Sequence, residues 1–203
     1  MRNTLSDQEI QDIVRKTVYE TFGLPTPKTK PIQPVNEIQT EPKHTSEMPD
    51  KIAIAIGADH GGVDLKSILK QDLTSWGYSV IDCGTHSKDS VDYPDIARSV
   101  AELVASGKVC WGVVIDGAGI GSCMAANKVP GVRAAMCYDY ATAINSREHN
   151  NANVLTLGAG MIEVDLAQRI LKTWLGTEFG GGRHARRVEK ITAIEHAYLS
   201  DGK

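Results

Sequence analysis

The stretch VVIDGAGIGSCMAANK, Val113 to Lys128, passes from a continuous apolar run through a glycine-rich turn into a helical pattern. Asp116 stands at the turning point, where a side chain at the end of a strand faces a pocket. Gly117, Gly119 and Gly121 leave backbone N–H groups free to point at an anion, at the positive end of the helix that follows. Such a loop can hold a phosphate or a developing oxyanion; it also suits a tight βα turn that needs positive φ angles. Its spacing lacks the six-residue dinucleotide fingerprint. Asp59 and His60 in GADHGG, Tyr93 in DYP, and His149 and Asn150 in SREHNN add further polar groups beside strands or helices. In GGRHARR, Arg183 and Arg187 lie four apart with His184 between them, so one helix face could present both guanidinium groups to one phosphate. Each has a plainer reading: Asp59 as a turn residue, Tyr93 packed beside Pro94, single histidines as helix caps, the arginines as a solvated face. Beside those readings stand acid–base chemistry for the histidines and phosphate binding for the loop and the arginines. Histidines and cysteines do not cluster at ligand spacing, so no metal and no cofactor is expected.

The elements that must position these residues follow from hydrophobic patterning. KIAIAI, SVID, WGVVI, VRAAMC and VLTLG are short apolar runs, separated by helical segments at about 62–76, 94–106, 121–128, 140–148 and 163–175, with a last helix at about 184–199. Continuous rather than alternating strands indicate a sheet covered on both faces, hence parallel βα units. The expected fold is a three-layer α/β/α, Rossmann-like domain with a five-stranded parallel sheet over residues 51–203. Ligands of such sheets sit beyond the carboxyl ends of the strands. Asp59, His60, Asp116, His149 and Asn150 are therefore expected along one sheet edge.

Two zones precede that domain. Within residues 1–23, Ser6 and Glu9 form a capping box, and Ile10, Ile13, Val14, Val18 and Phe22 make an amphipathic stripe that stops at Gly23. Residues 24–50 hold six of the chain's eight prolines and read as a flexible linker. The net charge of −3 gives no basic surplus for nucleic acid or an anionic membrane surface. No run approaches the ~18 apolar residues of a membrane span, and the N-terminus lacks the apolar core of a secretory signal. Four cysteines without a CxxC pair suit reduced thiols, and the chain reads as cytoplasmic.

Seven motifs in order, GADHGG, DCGT, DYPDIA, GAGIG, AANKVPGVRAA, REHNNANVL and GGRHARRVEKITAIE, resemble the ribose-5-phosphate isomerase B family, with its galactose- and allose-6-phosphate isomerase relatives. The resemblance runs from about Lys51 to Glu195. It implies a metal-free aldose–ketose isomerase, working as a dimer or dimer of dimers with sites between subunits. By motif, His149 would assist opening of the furanose ring, with Asp59 and His60 near the sugar oxygens. Asn150, Asn127 and the loop of Gly117, Gly119 and Gly121 would hold the enediolate and substrate. Arg183 and Arg187, with His60 or His184, would bind the phosphate, partly from the neighbouring subunit, and Tyr93 would line the pocket. This chain departs from the family at two points: many members carry a cysteine where Asp116 stands, and another group a glutamate at the position of Ser122. Asp116 is therefore the expected proton-transfer base. An ordinary aspartate titrates at about 3.9, so work at neutral pH would need desolvation by the apolar strand before it. A hexose-6-phosphate isomerase and a non-catalytic sugar-phosphate-binding protein are the alternatives. The N-terminal helix and linker resemble an encapsulation peptide, implying that residues 5–22 dock the chain to a bacterial microcompartment shell protein.

Overall fold

The computed structural model describes residues 52–200; the helix and linker expected at 1–23 and 24–50 lie outside them. Five strands, β1 (Ala53–Ala58), β2 (Ser79–Asp82), β3 (Trp111–Asp116), β4 (Ala134–Met136) and β5 (Val154–Gly158), form one all-parallel sheet in the order β2-β1-β3-β5-β4. Six helices intervene or follow: α1 (Val63–Ser75), α2 (Tyr93–Ala105), α3 (Ile120–Ala126), α4 (Tyr140–Glu148), α5 (Val164–Gly176) and α6 (Arg183–Ser200). This is the expected three-layer, Rossmann-like arrangement. From β1 the chain crosses to β2 on one side, while β3 pairs on the other side of β1. The carboxyl ends of β1 and β3 thus flank a topological switch point.

Alternation along each strand divides the core. Ile54, Ile56, Val113, Ile115, Leu155 and Leu157 face Leu65, Leu69 and Leu73 of α1 and Ile170, Leu171 and Trp174 of α5. On the other face the smaller Ala55, Val114 and Val154 meet Ala97, Val100, Ala101 and Val104 of α2 and Ala126 of α3. Glycine lets α2 come close there: a Cβ on Gly112 would lie 2.6 Å from Val100. The first core also buries a cation. Arg147, near the end of α4, sits with its guanidinium carbon 4.9 Å from the Trp174 ring centroid and 5.5 Å from that of Trp111. It donates to the carbonyls of Ala152 and Thr177, fixing the end of α4 against the start of β5 and the chain beyond α5.

At the β2 edge a second buried cation is paired. Lys66 of α1 is 2% exposed and meets Asp82 at 2.6 Å, while Lys70 meets the other carboxylate oxygen at 2.9 Å. Burial alone would raise the Asp82 pKa, but hydrogen bonds from Lys66, Lys70 and the Gly84 N–H outweigh it and hold the group at about 2, below its ordinary 3.8. Because the folded value lies below the unfolded one, the pairing stabilises the fold above the ordinary pKa and is lost as pH falls towards the folded value. Asp82→Asn leaves the Lys66 ammonium buried beside a neutral amide and is expected to cost about 3 kcal/mol at neutral pH. Thermal melts of both proteins across the acid range check this: the gap in Tm should narrow as pH falls from about 4 towards about 2.

Candidate active site

At the carboxyl edge, β1 is followed directly by Asp59, whose Oδ1 accepts from the N–H groups of Gly61 (2.9 Å) and Gly62 (3.2 Å), shaping the turn into α1. His60 is exposed, and its Nδ1 accepts from the Val91 N–H at 3.4 Å. Across the switch point, β3 ends in Asp116, whose carboxylate is 4% exposed. It turns back into its own loop: Oδ1 accepts from the N–H groups of Ala118 (2.8 Å) and Gly119, and Oδ2 from Ser122 at 2.9 Å. The carboxylate is thus buried at the end of its apolar strand. It also has a competing use, because three of its lone pairs organise the turn. The N–H groups of Gly117, Ile120 and Gly121 are not taken by that carboxylate and remain the loop's candidate anion donors. Gly119 adopts φ 79°, and a Cβ there would lie 2.9 Å from the Leu157 backbone. Only glycine suits such a position. Thr156 of β5 and Tyr138 hold the turn from outside, donating to the carbonyls of Gly119 and Ala118, each at 2.9 Å. The Ser122 Oγ is buried and has no hydrogen-bond partner. Tyr93, at the start of α2, lays its ring over Gly121, where a Cβ would come within 2.5 Å of it.

His149 and Asn150 do not share this edge, contrary to the expectation. They end α4 and precede β5, whose first residue, Val154, pairs with Gly112 near the start of β3, whereas Asp116 pairs with Gly158 at the far end. In a parallel sheet every segment that leads into a strand lies at the amino edge; the five-residue β5 puts about 13 Å between the two edges. The amino edge carries its own cluster. The rings of His149 and His184 stack in parallel, 4.1 Å apart at 6°. Arg183 donates to the His184 Nε2 at 3.4 Å, and the Gly180 N–H donates to the Glu148 carbonyl at 2.9 Å, docking the start of α6 on the end of α4. Burial, then the charges of His149, Arg183 and Arg187, push the His184 imidazole below its ordinary pKa, with Glu148 opposing. Asn127, expected to bind substrate, also lies at this edge, where its side chain exchanges two hydrogen bonds of 2.9 Å with Ala134 at the start of β4. An open groove of about 720 Å3 runs from Asn127 and Asn150 to Ile191, Ile194 and Tyr198 on α6.

The candidate residues therefore divide into two sets. Asp59, His60, Tyr93, Asp116 and the glycine loop occupy the carboxyl edge; Asn127, His149, Asn150, Arg183, His184 and Arg187 occupy the amino edge. Sequence reading missed Asn145, whose amide Nδ2 lies 2.8 Å from the His149 Nδ1. Its i, i+4 spacing from His149 on a helix was the available signal. Among the described residues, no group of three or more His, Cys, Asp or Glu side chains is placed to hold a metal ion, and no helix is long and apolar enough to cross a membrane.

Comparison with known proteins adds a family to this geometry. Residues 54–191 match the model of the Ribose/Galactose Isomerase family. Ribose-5-phosphate isomerase B of Escherichia coli is 46% identical over 142 residues, covering 70% of this chain and 95% of that protein. Among solved structures, ribose-5-phosphate isomerase B of Clostridium thermocellum is 54% identical with a TM-score of 0.72, covering 72% of this chain and 99% of that one. The Mycoplasma genitalium ribose-5-phosphate isomerase B, solved with bound ribulose-5-phosphate, is 39% identical with a TM-score of 0.70, covering 71% and 97%.

The bonds inside the glycine loop make a stability prediction independent of any ligand. Asp116→Ala strands the N–H groups of Ala118, Gly119 and Ser122 in a turn largely closed to water, with an expected loss of about 2–4 kcal/mol. Urea unfolding checks it, and a loss below about 0.5 kcal/mol, the ordinary range of a surface change, would show that the carboxylate does not organise the turn.

Proposed function

The chain belongs to the ribose/galactose isomerase family, and from that premise we propose that it interconverts ribose 5-phosphate and ribulose 5-phosphate through an enediolate. The observation that carries this reading is the pair of residue sets at the two sheet edges. One edge offers a desolvated carboxylate beside backbone donors; the other offers imidazoles, an amide and two guanidinium groups. Neither set suffices for the reaction, and two copies of the chain can complete each other's sites. Exposed apolar side chains on α3 (Ile120, Met124) and α6 (Ile191, Ile194, Tyr198) support a homodimer or a dimer of dimers.

In this reading the sugar phosphate lies at the seam. Arg183 and Arg187, with His184 or the His60 of the other copy, bind the phosphate, and Tyr93 lines the sugar pocket. Asp59, His60 and Asn150 contact sugar oxygens, and His149 assists opening of the furanose ring. Asp116 uses the Oδ2 oxygen, which accepts one loop N–H where Oδ1 accepts two. It takes the C2 hydrogen as a proton, the C–H electron pair forms the C1=C2 double bond, and the C1 oxygen becomes anionic against the loop N–H groups. The C2 hydroxyl proton then passes to the C1 oxygen, and as C2=O forms the double-bond electron pair takes the proton back from Asp116 at C1, which completes the ketose. No step draws on a cofactor.

The N-terminal segment adds a destination. Its capped amphipathic stripe, residues 5–22, supports docking of this cytoplasmic enzyme to a microcompartment shell protein as cargo. Residues 1–30 fused to a fluorescent protein should concentrate in shells when co-expressed with them; a diffuse signal would refute docking through this segment.

Subunit sharing is tested by complementation. Asp116→Asn and His149→Ala are each expected to lose at least about 100-fold in kcat with ribose 5-phosphate. Unfolding and refolding the two inactive proteins together should restore up to about a quarter of wild-type activity, because half of random dimers are mixed and each holds one intact site. No recovery would place the whole site in one copy. Equal or greater turnover of allose or galactose 6-phosphate by the wild type would replace the pentose with a hexose substrate.

A further inference from the structure

His149 closes α4, its N–H donating to the Asn145 carbonyl one turn earlier at 2.9 Å. The side chain of Asn145 stands between His149 and Asn150. The Asn150 Nδ2 lies 3.3 Å from the Asn145 backbone carbonyl and 3.3 Å from the Asn145 Oδ1. A backbone carbonyl can only accept, so Asn150 must turn its amide N–H groups this way. The arm of Asn145 that faces Asn150 is then its oxygen, and the arm that faces His149 is its nitrogen, 2.8 Å from Nδ1. An amide nitrogen only donates. The His149 Nδ1 must therefore carry a lone pair, and in the neutral ring the proton sits on Nε2.

α6 packs a second imidazole against His149. Its stacking partner His184 accepts from Arg183 through Nε2, which puts the His184 proton on Nδ1. Arg183 and Arg187 bring positive charge to His184, which Glu148 opposes. Protonating His149 at Nδ1 would set an N–H against the Asn145 amide N–H and add a cation to this group.

We propose that Asn145 is a positioning residue, which holds His149 as the neutral Nε2–H tautomer so that it meets the sugar with a hydrogen-bond donor rather than a basic lone pair. The inference rests on the isomerase reading above and gives His149 a defined part in it. During ring opening the C1–O bond to the ring oxygen breaks and its electron pair moves to that oxygen. His149 Nε2–H stabilises the oxygen by donation. The proton of the anomeric hydroxyl reaches it through water as C1=O forms, and His149 keeps its own proton throughout.

The experiment uses the full chain with 15N-labelled histidine, assigned by loss of signals in His149→Gln. Long-range 1H–15N spectra of the wild type should show a pyridine-like Nδ1 and a pyrrole-like Nε2 for His149. Asn145→Asp has the same shape but offers only acceptors, so it should move the His149 proton to Nδ1 and lower kcat about tenfold, with KM changed less than about twofold. Asn145→Leu, which imposes neither tautomer, should show both forms and an intermediate kcat. A wild-type His149 protonated at Nδ1, an Asn145→Asp protein that keeps the wild-type tautomer, or unaltered kcat in that variant would each overturn the proposal. If the wild type converts no sugar phosphate, the isomerase reading fails, while the tautomer spectra still decide what Asn145 does.

Discussion

Strand direction governs this molecule. All five strands run parallel, so every segment leaving a strand emerges at one edge of the sheet and every segment entering one lies at the other. The strand order places the ends of β1 and β3 side by side where the connections diverge, so that Asp59 and Asp116 stand at neighbouring strand ends. The same rule sends His149 and Asn150 to the opposite edge, where α6 brings its arginines beside them. One chain thus carries its candidate residues in two sets at opposite edges of the sheet, and the proposed reading has a symmetric assembly bring them together.

Asp116 braces its own loop and is also the base of the proposed reaction. Its three loop hydrogen bonds fix a turn whose remaining N–H groups can meet an anion, and its burial removes the water that would otherwise compete for its oxygens. A thiol at this position would have no comparable set of acceptor lone pairs with which to tie down the turn. The loop here is instead braced by the carboxylate within and by Thr156 and Tyr138 from outside.

Much of the architecture was legible from residue order. Runs such as WGVVI and VLTLG are apolar at every position because both faces of the sheet are covered, and that pattern distinguishes a parallel interior strand from a half-solvated one. The glycines of GAGIG marked the turn, and the pairing of Asp59 with Asp116 across the switch point follows from their places after the first and third strands. The edge on which His149 falls was also implicit, since it precedes a strand rather than following one. Nearness in the list of motifs obscured that. Other features had no local signature. The inward turn of the Asp116 carboxylate depends on backbone angles at Gly119. Asn127 looks like a ligand-binding amide, yet its side chain closes the gap between α3 and β4. Asn145 becomes visible only when helix periodicity and the hydrogen-bond roles of Asn150 are taken together.

Arg147 lies two residues before His149, its guanidinium held between two indole faces and two carbonyl groups. Through it, the last turn of α4 is bolted to the hydrophobic interior, although the imidazole it delivers stands at the surface. The conformational freedom of that turn is surrendered when the polypeptide collapses, well before any sugar arrives. In the proposed reading, a small, highly hydrated metabolite meets a wall that is already rigid, and association need not supply the ordering.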